Sequence, residues 1–86
     1  MAINVVINQR YLQIQLKQLE TVWQTVINNY NLSQAAKVLH TSQSSLSKHI
    51  AALESQLRAE VFVRQGKRLV GLSPIGELLL PHIEKI

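Results

Sequence analysis

From Leu16 onward the apolar positions of this chain fall into helical register. Leu16, Leu19, Val22, Trp23, Val26 and Ile27 recur at spacings of three and four, which puts them on one face of a helix. Asn28, Asn29 and Asn31 interrupt that run. A short second helix is expected next. Asn31 is a favoured N-cap residue, and Gln34 stands at capping-box spacing from it. Ala35, Ala36 and Leu39 supply its apolar stripe, and paired alanines allow another helix to approach closely. The segment His40-Thr41-Ser42 then breaks the pattern.

A third helix is expected from about Ser42, whose hydroxyl can cap it. Leu46, Ile50, Leu53 and Leu57 make one apolar face. At about 100° per residue, Ser44, Lys48, Ala51 and Ser55 lie nearly opposite that face, flanked by Ser45 and Ser47. The outward wall is therefore small, polar and cationic, with no acid before Glu54. His49 falls near the edge of the buried stripe. Serine is a weak helix former, because its hydroxyl competes for backbone partners. Four serines in the first turns point to a surface shaped for a ligand.

Two short apolar runs follow, Val61-Phe62-Val63 and Leu69-Val70, separated by a basic stretch around Gly66. They predict a small hairpin with a basic tip. Ser73 as cap and Pro74 as first residue open a fourth helix. Ile75, Leu78, Leu79, Leu80, Ile83 and Ile86 make it apolar nearly all round, so a covering partner is expected, most simply a second copy. Pro81 should kink or loosen it. Residues 1–15 stand as an N-terminal extension without a firm assignment: INVVIN favours a strand and YLQIQLKQLE a helix.

Composition adds two constraints. With 86 residues and 47% hydrophobic content, one small folded domain is expected. There is no cysteine, so disulfides and thiolate metal sites are excluded. A reducing compartment, the cytoplasm, fits that composition. No apolar run reaches the roughly 20 residues of a membrane span, and the start lacks the features of a signal peptide. Charge is more telling. The formal net charge is +4, and all of the excess sits between residues 33 and 72. There Lys37, Lys48, Arg58, Arg64, Lys67 and Arg68 face only Glu54 and Glu60. A basic middle between neutral flanks suggests a polyanionic partner.

Short helix, tight turn and longer helix have the proportions of a helix-turn-helix. In that motif the second helix enters the DNA major groove with its N-terminal residues at the base edges. Small hydroxyls let the helix come close, and each can donate or accept. Gln43 suits adenine, and Lys48 suits guanine or a phosphate. The hairpin cations Arg64, Lys67 and Arg68 suit the backbone or a minor groove. Arg64 has a second reading, a brace to Glu54 or Glu60. Lys37 reads as part of a solvated face.

The stretches LSQAAKVLHTSQSSLSKHIAALESQL and VFVRQGKRLVGLSPIG resemble the N-terminal winged helix-turn-helix of LysR-type transcriptional regulators. The specific elements are Ala35–Ala36, Leu39, Ser42-Gln43, Ser47, Ile50, Leu53–Glu54, Leu57, Phe62, Arg64 and Gly76. The resemblance implies a mainly α winged helix-turn-helix: a three-helix core, a small β-hairpin wing and a C-terminal linker or dimerisation helix. It divides the chain into the extension 1–15, a DNA-binding domain 16–72 and the start of the linker helix 73–86. The C-terminal effector-binding domain is expected outside this chain, and a small-molecule effector is expected only for that domain. The resemblance implies base contacts from Gln43, Ser44, Ser45, Ser47 and Lys48, with the cap residue Ser42 also among the DNA-binding residues. It implies backbone contacts from Ser33, Gln34 and Thr41, and wing contacts from Arg64, Lys67 and Arg68. Homodimerisation is implied through Ile75, Leu78, Leu79, Ile83 and Ile86. The family usually has glycine where Arg58 stands, at a helix end that needs positive φ.

Other chemistry is poorly supported. Ser45-Leu46-Ser47-Lys48 matches S-x-x-K, but its partner motifs are absent and the chain is too short for that enzyme fold. His40, His49 and His82 lack metal-ligand spacing. The expectation is therefore a non-enzymatic binder of double-stranded DNA at cytoplasmic, nucleoid-associated operator sites, needing no metal or cofactor. The competing reading is a winged-helix adaptor for proteins, which has no need of a cationic face around Ser44 and Lys48.

Overall fold

A computed structural model describes residues 15–85 of the chain. The expected extension lies almost wholly outside the described residues. Among the described residues there are four helices and one antiparallel hairpin: α1 (Leu16–Ile27), α2 (Leu32–Val38), α3 (Gln43–Leu57), β1 (Phe62–Gln65), β2 (Arg68–Leu72) and α4 (Pro74–Glu84). The expected order is observed, and the first three helices with the hairpin make a winged helix-turn-helix.

The caps follow the side-chain chemistry. Asn31 Oδ1 accepts from Gln34 N–H at 3.0 Å to open α2. Ser42 Oγ accepts from Ser45 N–H at 3.1 Å to open α3. Ser73 Oγ accepts from Gly76 N–H at 3.1 Å and donates to Glu60 O, so the cap also ties α4 to the chain ahead of the wing. At the start of α1, Gln18 Oε1 accepts from Gln15 N–H at 2.7 Å. That last contact is not legible from apolar spacing.

Three helix ends share a closure that the sequence announces only at Arg58. Asn29, His40 and Arg58 all take positive φ, at 57°, 55° and 53°. Each is followed by an N–H reaching back five residues: Tyr30 to Thr25 O, Thr41 to Ala36 O and Ala59 to Glu54 O. This is the Schellman type of closure, usually made with glycine. Here none of the three residues is glycine. Arg58 in particular stands at φ 53°, ψ 38°, the left-handed region that burdens a β-carbon. Arg58→Gly is expected to stabilise the fold by about 1 kcal/mol. The midpoint of thermal unfolding should then rise by about 5 °C. An unchanged or lower midpoint would show that the arginine side chain compensates for its backbone.

The main core gathers Val22, Ile50, Leu53, Val61, Phe62, Leu69 and Ile83. A second cluster, Ala35, Ala36 and Leu46, holds α2 against α3, as the alanine pair predicts. Of the six residues of the expected α1 stripe, Val22 is wholly buried and Leu19, Trp23 and Val26 are partly covered and pack against the core, whereas Leu16 and Ile27 are half exposed and the wholly buried positions include Thr21 and Thr25. Thr21 Oγ1 donates to Lys17 O and Thr25 Oγ1 donates to Thr21 O, so both hydroxyls are satisfied within their own helix. A threonine satisfied in this way packs as a small apolar residue, and a hydropathy pattern does not find it. His49 Nδ1 lies 3.3 Å from Thr21 Oγ1, at the predicted edge of the α3 stripe.

In the wing, pairing extends further into the basic segment than expected. Gln65 pairs with Arg68, which leaves Gly66 and Lys67 as the turn, with Gly66 at φ +64°. Arg64 and Arg68 thus stand on strands. A register irregularity falls between Val63 and Arg64. Helix α4 continues through Pro81 to Glu84. Its Ile83 faces the main core, Leu79 packs beside that core, and Ile75 and Leu78 are exposed. The apolar character of α4 is therefore used partly within one chain. Ile86 lies outside the described residues.

Candidate nucleic-acid interface

The position of the interface follows from the way α3 is held. Leu46, Ile50 and Leu53 are each 1% exposed and lock one side of the helix inward. The opposite side is open: Gln43, Ser44, Ser47, Lys48, Ala51 and Ser55 are exposed. The cationic, hydroxyl-rich wall is thus a surface of the molecule. At its start the serine hydroxyls form a small network. Ser42 Oγ donates to Ser45 Oγ at 2.9 Å and lies 3.2 Å from Ser44 Oγ. Ser42 is thereby engaged in the cap and Ser45 is half-buried, whereas Gln43, Ser47 and Lys48 make no such local contact.

A polar concavity lies between the start of α3, the wing and the turn ahead of α2. Ser33, Gln43, Ser47, Arg64, Lys67 and Arg68 line it together. All six are exposed. Gln34, Thr41, Ser44, Ser45 and Lys48 lie outside this concavity, and of these only Ser45 is not exposed. The concavity also includes Asn28, Asn29 and Asn31, expected from the sequence only as a helix break and a cap, and Tyr30, for which the sequence suggested no role.

The wing is fastened to α3 by one carboxylate. Glu54 Oε2 accepts from Val61 N–H at 2.7 Å and from Phe62 N–H at 3.3 Å. Glu54 Oε1 accepts from Arg64 Nη2 at 3.3 Å. The bracing alternative for Arg64 is therefore realised toward Glu54. The guanidinium side chain still keeps 41% exposure, so the brace leaves it accessible. Tyr30 adds a second tie, its ring standing edge-on to Phe62 at 6.1 Å between centroids.

A helix-turn-helix whose second helix opens outward, with a basic hairpin beside it, defines a winged-helix DNA-binding domain. The chain belongs to the lysR family of bacterial regulatory helix-turn-helix proteins, whose profile matches residues 16–77. It is 43% identical over 70 residues to the transcriptional regulator Cbl of Klebsiella aerogenes, covering 81% of this chain and 22% of that protein. It is 44% identical over 71 residues to CysB of Burkholderia cenocepacia, covering 83% and 23%. Among solved structures, oxidised OxyR of Corynebacterium glutamicum superposes with a TM-score of 0.73 at 32% identity, over 83% of this chain and 22% of that one. Full-length CbnR complexed with its target DNA gives 0.73 at 25% identity, over 83% and 24%. The chain thus spans less than a quarter of the length of each of these four proteins. Among the described residues no helix is long and apolar enough to cross a membrane, and no group of three or more His, Cys, Asp or Glu could hold a metal ion.

Proposed function

We propose that this domain binds double-stranded DNA sequence-specifically, without catalysis, as the reading head of a bacterial transcription regulator. Helix α3 enters the major groove. Gln43, Ser44, Ser45, Ser47 and Lys48 meet base edges there, and Ser42 caps the helix beside them. Ser33, Gln34 and Thr41 meet the sugar–phosphate backbone. Arg64, Lys67 and Arg68 carry the wing along the backbone or into a minor groove. The observation that carries this reading is the open face of α3, opposite a side fixed in the core.

The parent regulator pairs as a homodimer through α4, with Ile75, Leu78 and Leu79 at the seam and Ile83 supporting it from within. It carries a small-molecule effector domain beyond this chain and acts in the cytoplasm. A protein-only adaptor is disfavoured, since it gives no role to a cationic face beside the hydroxyls of α3.

Selection of bound sites from random duplexes, followed by anisotropy titration at several salt concentrations, tests the reading. Lys48→Ala and Gln43→Ala are expected to relax base preference, each good base contact being worth about 1–3 kcal/mol. Lys67→Ala is expected to weaken all sequences alike and to flatten the plot of log affinity against log salt by about one unit. Undetectable or salt-insensitive binding would favour the adaptor. Loss of base preference in Lys67→Ala alone would reverse the roles of helix and wing.

A further inference from the structure

The turn between α1 and α2 contains three asparagines, and the structure accounts for two of them. Asn28 Nδ2 donates to Gln24 O at 2.7 Å and so serves the end of α1. Asn31 Oδ1 caps α2. Asn29 has no side-chain hydrogen bond to any described residue, is exposed, and lines the same concavity as Gln43, Ser47, Arg64, Lys67 and Arg68. Its backbone role needs no amide. At φ 57° it ends a helix, and glycine would do that at least as well.

The turn is also held in place relative to the wing. Tyr30 takes φ 63°, an unfavourable region for a bulky residue, and its N–H is fixed to Thr25 O at 2.7 Å. Its ring stands against Phe62, whose own N–H is fixed by Glu54. A strained residue anchored at both ends sets the position of its neighbour. Asn29 is therefore presented at a fixed place across the groove from the wing cations.

We propose that Asn29 is a further DNA contact: its side-chain N–H donates to a backbone phosphate lying in the groove between α3 and the wing. The proposal rests on the DNA-binding reading above. Phosphate oxygens accept such bonds, and the neighbouring Lys67 and Arg68 offset the charge. An uncharged donor displaces no counterion, so it adds affinity without steepening the salt dependence. That signature separates it from every lysine and arginine in the interface.

Asn29→Gly and Asn29→Asp both suit the left-handed backbone and keep the turn. Each is titrated against a mixed-sequence duplex and a selected site over a range of salt, with thermal melts to confirm folding. Asn29→Gly is expected to weaken both duplexes by about three- to tenfold at every salt concentration, giving a line parallel to that of the unaltered chain. Asn29→Asp is expected to weaken them further, most of all at low salt, by repulsion of phosphate. Asn29→Gly at unaltered affinity overturns the proposal, even if Asn29→Asp weakens binding, because repulsion alone needs no donated bond. Failure of the unaltered chain to bind any duplex would instead remove the DNA-binding reading itself.

Discussion

Replacing Glu54 by alanine is expected to lower stability by about 3 kcal/mol, a large share of what so small a domain commands. The carboxylate accepts the backbone N–H groups of Val61 and Phe62 and pairs with Arg64. Val61 and Phe62 are both wholly buried, so water cannot easily take over as acceptor. The ion pair is the lesser part. Arg64 is 41% exposed, and such a pair is worth less than about 1 kcal/mol. Arg64→Ala should therefore leave urea unfolding nearly unchanged while weakening DNA binding. Glu54→Gln keeps an oxygen acceptor and should fall between the two. In Glu54→Ala the urea midpoint should drop with little change in the m-value, and DNA affinity should fall as the wing loosens. A midpoint within error of the unaltered chain would show that the clamp is dispensable.

Gly76→Ala is expected to cost about 2–3 kcal/mol, although alanine is the better helix former by about 1 kcal/mol. A β-carbon at this position would overlap Val61 O and come within 2.8 Å of Leu72 Cδ2. The leucine tip can move. The carbonyl cannot move freely, because it accepts Ser73 N–H at 2.9 Å and belongs to the strand entry held by Glu54. Overlap with fixed backbone outweighs helix propensity here. Thermal unfolding should show a midpoint about 10 °C lower. A rise in the midpoint would mean that α4 can slide outward without penalty.

Local chemistry in the sequence anticipates much of this structure. Ser42 and Ser73 mark helix starts because their hydroxyls have few better uses, and Gly66 marks the turn because it takes positive φ there. The leucine stripe of α3 was legible from spacing, and with it the open face opposite. The missing parts share a cause: each depends on residues distant in sequence or on a side chain acting out of type. Thr21 and Thr25 are core residues because their hydroxyls bond within α1. Glu54 fastens residues seven and eight positions away. Asn29 joins the polar groove between α3 and the wing only because the wing folds back toward it, a placement that no local pattern encodes. Ile83 reads as a seam residue by its apolarity, yet its neighbours are the chain's own core.

A glycine that stops a helix carries no side chain. At Asn29, His40 and Arg58 the same backbone reversal leaves a functional group standing at the corner. One corner borders the groove and the other two are open to solvent. Punctuation of the chain thereby doubles as chemistry. At Asn29 a single codon change to aspartate exchanges a donor for a negative charge while the path of the backbone is preserved.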